Sequence, residues 1–353
     1  MPSDGKAVRW IEVVEEESGQ RIDNYLLARL KGVPKSHVYR ILRSGEVRIN
    51  SKRVAASDRV ATGDRIRIPP VRIAERDEAI PAPHFRLPIL HEDDALIAID
   101  KPSGLAVHGG SGVAHGVIES LRSMRPEARF LELAHRLDRE TSGVLLVAKK
   151  RVALVALHEM MRTRAMDKRY LVGVSGRFRN ELQRVRAALA KRVTSEGDKR
   201  VSVAAGGQEA ETVFRRLARG AEASLLEAEL ITGRTHQIRV HAAHLGHPVL
   251  GDDKYGNYEL NKALRKQGLK RMFLHSASLE FDHPISGEKM RLESPLPAEL
   301  EAFVSRHIKQ ATPGSDPKQT TPGSDPKQAK PGSDPKQAKP GSDPKQATPG
   351  SDP

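Results

Sequence analysis

The stretch His135-Arg136-Leu137-Asp138-Arg139-Glu140-Thr141-Ser142-Gly143 runs directly into the apolar segment Val144 to Ala148. A polar loop that feeds a buried strand sets its side chains at the edge of a cleft. Asp138 stands between Arg136 and Arg139, and nearby cations keep a carboxyl group ionised, the state a nucleophile or base requires. An ion-pair loop on the surface fits the same residues. A second stretch, Gly233-Arg234-Thr235-His236-Gln237-Ile238-Arg239-Val240-His241, combines a glycine turn with a helix expected to start near Thr235. Arg234 then sits at the start of that helix and Arg239 about a turn later, an arrangement suited to an anion. His241, His244 and His247 follow at three-residue spacing, but there is no HExxH and no obvious carboxylate ligand, so no metal is expected. A third candidate is Tyr170 in Lys168-Arg169-Tyr170-Leu171-Val172, which reads as core or interface unless it meets the other two motifs. The fourth is Lys101-Pro102-Ser103-Gly104 followed by His108-Gly109-Gly110-Ser111-Gly112, a Gly-rich loop ahead of a helical stretch at 114–123. It lacks the GK[ST] ending of a nucleotide loop, and a flexible loop beside a cleft fits it better.

These residues must be positioned by elements of mixed type. Apolar positions Ile22, Leu26, Leu27 and Leu30 recur at helical spacing, and Pro34 opens a second helix over Lys35 to Ser44. The alternating runs 47–50 and 64–68 read as short strands, with a further strand at Val8 to Val14. Arg40, Arg43, Arg48, Lys52 and Arg53 lie close together on this small unit. Five prolines between Pro69 and Pro88 predict a stiff linker. Beyond it, strands (ALIAI, GVLLVAK, RYLVGV, TVFRRL, SLLEAEL, FLHSASLEF) mix with helices at 151–164, 236–245 and 298–308. That order predicts an α+β domain with a largely antiparallel sheet. The chain ends in a nine-residue repeat of PGSDPKQ from Pro313 onward, a composition that cannot bury enough apolar surface to order. The expected organisation is an N-terminal extension with a strand (1–19), a small basic domain (20–75), a linker (76–88), a catalytic domain (89–309) and a disordered tail (310–353).

The formal charge of +14 points to a polyanionic partner, because each neutralised phosphate releases condensed counterions. The tail from Gln310 holds six Lys and five Asp, so the excess belongs to the body. It is densest between Arg21 and Arg72, with 13 basic and 4 acidic residues. The absence of Cys excludes disulfides, zinc–thiolate sites and thiol catalysis, and fits a reducing cytoplasm. The first nineteen residues carry no long apolar run, so neither a signal peptide nor a membrane span is expected.

In order and spacing, HRLDRETSGVLLVAKK, KRYLV, TGRTHQIRVHAAHLGHPVLGDDKYG and FLHSASLEFDHP resemble the motifs of the RluA family of pseudouridine synthases. QRIDNYLLARLKGVPKSHVYRILRSGEVRINSKRV resembles an S4 RNA-binding domain, a small α/β unit of the αL type. The strings KGVPKS, YRILR, GEVR, AVHGGSG, GVIE and RPEARFLEL are similar to the RluC branch, which modifies 23S rRNA. The resemblance covers roughly residues 8–308 and does not extend to the repeat tail.

The resemblance implies isomerisation of uridine to pseudouridine in 23S rRNA or a large-subunit assembly intermediate; separately, a cytoplasmic location and a monomer are expected. It makes Asp138 the catalytic aspartate, Tyr170 the residue that stacks on the base and assists removal of the C5 proton, and Arg239 the ion-pair partner of the aspartate. Leu274 packs under the site, and Arg136 helps displace the target nucleotide. Arg234 and His236 are expected to bind substrate, and Arg40, Arg43, Lys52 and Arg53 the RNA backbone. The reaction breaks N1–C1′ and forms C5–C1′ with exchange of protons alone, so no cofactor is required. Attack on the base, attack on the sugar and a glycal route all remain open to a carboxylate. Two other readings are a non-catalytic RNA-binding or ribosome-assembly protein and a synthase acting on tRNA.

Overall fold

The structure, a computed structural model, describes residues 7–30, 32–71, 83–110, 113–193 and 199–308. The repeat tail, residues 76–82 of the expected linker and Ser111-Gly112 lie outside them.

The N-terminal module contains β1 (Arg9–Glu12), α1 (Ile22–Arg29), α2 (Lys35–Arg43), β2 (Arg48–Ile49), β3 (Lys52–Arg53) and β4 (Arg65–Ile68). Its strands form one sheet in the order β1-β4-β2-β3. The strand assigned above to a separate extension therefore completes this sheet, with Arg9 opposite Ile68 and Glu12 opposite Arg65. Ile22, Leu26, Val38, Ile41, Ile66 and Ile68 bury their side chains together between helices and sheet. That packing stabilises helices of eight and nine residues, each too short to persist alone in water.

Residues 83–88, expected in the linker, dock on the following domain: Ser120 Oγ accepts the Phe85 N–H at 2.9 Å and Leu87 packs on the core. The second module then runs β5 (Ile89–Glu92), β6 (Leu96–Lys101), α3 (Val117–Met124), β7 (Glu132–Leu133), β8 (Ser142–Ala148), α4 (Arg151–Thr163), β9 (Asp167–Ser175), β10 (Leu182–Arg186), β11 (Leu189–Val193) and β12 (Lys199–Val203). It continues with β13 (Glu211–Arg219), β14 (Ala223–Leu230), α5 (Gln237–His244), α6 (Tyr258–Lys266), β15 (Leu274–Asp282), β16 (Lys289–Glu293) and α7 (Ala298–His307).

Ten of these strands make one sheet with the path β10-β13-β14-β9-β15-β8-β6-β5, while β16 joins β15 and β7 joins β8. Every pairing is antiparallel except β15 with β8, so the sheet is mixed and largely antiparallel, as the strand order predicts. All seven residues of β8 are buried, consistent with its unbroken apolar run. The parallel contact places Ser276 against Gly143, which adopts φ +105°. A Cβ at Gly143 would stand 2.1 Å from the Ser276 carbonyl oxygen, so only glycine lets the two backbones meet there. Strands β11 and β12 form a separate hairpin whose Leu189 and Val201 pack on Val240 of α5. Among the described residues no helix is long and apolar enough to cross a membrane.

Candidate active site

Asp138 lies in the loop between β7 and β8, and three neighbours hold that loop still. Lys101, fully buried, donates from Nζ to the carbonyls of Pro102 and Leu105 at 2.8 Å and of Arg139 at 3.1 Å. Burial pulls its pKa down to about 7, and the nearby Arg271 adds to that. Gly104 N–H donates to the Arg139 carbonyl at 2.9 Å, and Ser103 Oγ to that of Glu140 at 2.7 Å. The Lys101–Gly104 segment thus forms the backing of the Asp138 loop, not a phosphate loop. The Gly-rich portion that follows is occupied from within the chain, because Glu119 accepts the Gly109 and Gly116 N–H groups at 3.0 and 2.8 Å. His135 Nε2 accepts the Leu146 N–H at 3.1 Å, and burial lowers its pKa to about 4, so it stays neutral and pins the loop to β8.

Arg239 arrives from α5, one hundred and one residues further along the chain, and its NH1 donates to Asp138 Oδ2 at 2.8 Å. The guanidinium is itself held by Asp252, through Nε to Oδ2 at 2.7 Å and NH2 to Oδ1 at 2.8 Å. Asp252 is 1% exposed, and its Oδ1 also accepts the backbone N–H groups of Lys254 (2.8 Å) and Tyr255 (3.0 Å). Burial opposes ionisation of both partners. The two carboxylates nevertheless raise the Arg239 pKa above its ordinary value, and the guanidinium keeps the Asp252 carboxyl below its own. The result is a cation fixed in plane by a bidentate contact and presenting an NH1 hydrogen to Asp138. Arg239 is therefore committed to two carboxylates and is not open to an incoming anion, contrary to the anion-site expectation for this helix.

Tyr170, on β9, stands opposite Ser276 of β15 and Ala228 of β14. Burial pushes its hydroxyl up to about 12, with the Asp138 charge acting in the same direction. Leu274 opens β15 and is buried. The β8–β15 pairing brings that strand against the Asp138 loop. Asp138, Tyr170, Leu274, Arg136, Arg234, His236 and Arg239 all line one small hollow of ≈ 70 Å³. It shares Arg136, Asp138, Tyr170, Arg234 and His236 with a wider cleft of ≈ 490 Å³, to which Arg162, Arg164 and Lys168 also contribute. All seven expected site residues of this module thus converge.

The helix carrying Arg239 begins at Gln237, two residues later than predicted. His236 precedes it in a left-handed conformation (φ 55°). The buried Gln237 side chain holds that turn, accepting from Thr232 Oγ1 (2.7 Å) and Arg234 N–H (3.0 Å) and donating to the Glu211 carbonyl and Thr212 Oγ1 (both 2.9 Å). His241 is fully buried and spends both ring nitrogens on Thr212 Oγ1 (2.9 Å) and the Ala187 carbonyl (3.0 Å). His247 bonds the Ser175 carbonyl at 2.8 Å and packs on Phe178. Two of the three histidines are thus spent on structure, while His244 is exposed.

Arg40, Arg43, Lys52 and Arg53 lie elsewhere, exposed on α2 and β3 of the N-terminal module. Arg53 donates to the Ser44 carbonyl at 2.8 Å and Arg40 contacts His37 at 3.2 Å. Among the described residues none of the four forms an ion pair with a carboxylate, which leaves their charge available to a polyanion.

Asp252, Gln237 and Lys101 are not named as site residues from the sequence, although each lies within a stretch singled out there. An acidic pair in the turn Gly251-Asp252-Asp253 signals a surface loop, and only the contact with Arg239 distinguishes the buried member from the exposed one.

A carboxylate paired with a caged arginine, beside a buried tyrosine and above a leucine, is an arrangement for chemistry on a flat uncharged ring taken out of solvent. Residues 95–244 match the family model described as RNA pseudouridylate synthase, and residues 20–66 match that of the S4 domain. The chain belongs to the RNA pseudouridylate synthases. It is 50% identical over 318 residues to the ribosomal large subunit pseudouridine synthase C of Yersinia pestis, spanning 88% of this chain and 99% of that protein. It is 51% identical over 304 residues to the protein of the same name from Salmonella typhimurium, spanning 84% and 95%. The solved structure of human RNA pseudouridylate synthase domain containing 1 shares the fold, with a TM-score of 0.55 at 23% identity over 66% of this chain and 93% of that one.

Proposed function

We propose that this chain isomerises uridine to pseudouridine in large-subunit (23S) rRNA, with Asp138 as the catalytic carboxylate. The observation that carries this reading is the Asp138–Arg239–Asp252 chain of contacts at the floor of a hollow walled by Tyr170 and Leu274. Arg239 keeps Asp138 aimed through Oδ2, and the carboxylate meets the extruded nucleoside. The N1–C1′ bond breaks, the uracil turns within the hollow, C5–C1′ forms, and the C5 proton leaves as N1 gains one. Tyr170 offers its ring for stacking on the base, a contact of about 1–3 kcal/mol that offsets extrusion costing a few kcal/mol. Arg136, exposed at the rim, fills the space the nucleotide leaves, and Arg234 and His236 contact it from the opposite wall. The exposed cations Arg40, Arg43, Lys52 and Arg53 add backbone affinity. The choice of 23S rRNA, free or in an assembly intermediate, is supported by the names of the relatives at 50% identity. The reading includes action as a cytoplasmic monomer.

Tritium release from C5-labelled uridine in a 23S rRNA transcript tests it. Wild-type protein should release label and Asp138→Asn should bind RNA without releasing it. Residual Asp138→Asn activity within tenfold of wild type removes the assigned role. Release from tRNA but not from rRNA removes the target.

A further inference from the structure

His236 lines the small hollow with a left-handed backbone. That conformation is rare for a side chain with a Cβ, so something must hold it. Tyr255 does so. The Tyr255 hydroxyl lies 2.7 Å from His236 Nδ1, and the two rings meet edge-on with centroids 5.5 Å apart. Tyr255 is itself held from three sides. Its backbone N–H bonds Asp252, the Arg239 guanidinium lies 5.0 Å over its ring, and its hydroxyl oxygen accepts the Val201 N–H of β12 at 3.0 Å.

This pattern decides a proton position. The Tyr255 oxygen takes one hydrogen bond from Val201, and among the described residues His236 Nδ1 is the acceptor available to its own hydrogen. Nδ1 is then unprotonated, and the neutral ring carries its hydrogen on Nε2. That nitrogen lies 3.8 Å from Asp138 Oδ1, on the wall of the hollow. Asp138 faces it from the β7–β8 loop, Arg239 from α5, and Asp252 and Lys254 from the turn after α5.

We propose that Tyr255 is a positioning residue that locks His236 as the Nε2–H tautomer, so that a neutral N–H donor stands beside Asp138 and hydrogen-bonds a carbonyl oxygen of the seated uracil. This rests on the function proposed above and deepens it. The hairpin β11–β12 belongs to the device, since the Val201 N–H leaves the hydroxyl only one direction in which to donate.

The ring tautomer can be read in the wild-type protein by 15N NMR after selective histidine labelling, with the His236 resonance assigned by its loss in His236→Gln. Protonated Nε2 with bare Nδ1 at pH 8 is the expected result, and the opposite tautomer overturns the proposal. Tyr255→Phe keeps the ring under Arg239 and removes the hydroxyl. Its kcat on an rRNA transcript should fall at least tenfold at pH 8.5, with KM within twofold. At a pH below the His236 pKa, which burial lowers from the ordinary imidazole value, the defect should shrink to threefold or less, because a protonated imidazole carries the Nε2 hydrogen whatever its neighbour does. In a His236→Ala background Tyr255→Phe should have no further effect on kcat. A pH-independent defect, or one that persists without His236, makes Tyr255 merely structural and overturns the proposal. No defect at either pH also overturns it while leaving the carboxylate chemistry intact. Loss of activity confined to Asp138→Asn, or its absence in wild type, reports separately on the function itself.

Discussion

Replacing Asp252 by Asn keeps volume and shape while removing the charge that cages Arg239. The carboxylate accepts four N–H groups: Arg239 Nε and NH2, and the backbone of Lys254 and Tyr255. An amide retains one accepting oxygen and turns an NH2 toward a donor, so at least one charge-assisted bond becomes a clash. Hydrogen bonds to charged groups contribute about 1.5–3 kcal/mol each, and breaking a buried pair by removing one partner costs about 3–5 kcal/mol. Asp138 still neutralises Arg239 in part, which places the expected loss near the lower figure, about 3 kcal/mol. Urea unfolding at pH 7 should show this as a lower midpoint at unchanged slope. The pH dependence carries a sign. The folded-state pKa of Asp252 is depressed, so its contribution is present above the ordinary carboxylate value of about 3.9 and is lost as pH falls through the lower folded value. Below that value wild type and Asp252→Asn should converge. Activity should fall more than stability, because the guanidinium that aims Asp138 can swing about its one remaining carboxylate. A loss under 1 kcal/mol with turnover within threefold of wild type would refute the idea that Asp252 cages the arginine.

Two further outcomes follow from the site. With the Tyr170 hydroxyl held near 12, the pH–rate profile should show no basic limb from this group below about pH 10, and Tyr170→Phe should depress kcat strongly while leaving RNA affinity within threefold; a limb near pH 8 that vanishes in Tyr170→Phe would contradict it. Reversing Arg40, Arg43 and Lys52 to Glu should weaken binding to a long transcript and lower the slope of log K against log salt by at least about 0.7–0.9 for each phosphate left unneutralised, with release from a short stem-loop nearly unchanged. Equal salt slopes for variant and wild type would remove that face from the RNA interface.

Much of the site was legible in residue order because its parts are local. Arg136 and Asp138 lie in one loop that leads into an unmistakable buried strand, and Arg234, His236 and Arg239 lie on one turn and helix. Both the α+β class and the antiparallel bias followed from the order of apolar runs. The short strands β10, β11, β12 and β16 and the helix α6 were not legible, since runs such as LQRVR and KMRLE carry as much charge as apolar character.

Tertiary contact decided what each motif is for. By its place at a helix start Arg239 reads as anion-binding, and by resemblance as the partner of Asp138; only folding adds Asp252 on its other side. Lys101 reads as part of a Gly-rich phosphate loop until three carbonyls close on its ammonium group. The histidine series carries no ligand signature in the sequence, and folding shows where two of its members go: His241 to Thr212 and His247 to Ser175. The sequence by itself determined which side chains were available and which stood near each other along the chain. Burial and pairing across a hundred residues are properties of the packed sheet, and they determine which groups are charged, which are spent on structure and which remain to meet the substrate.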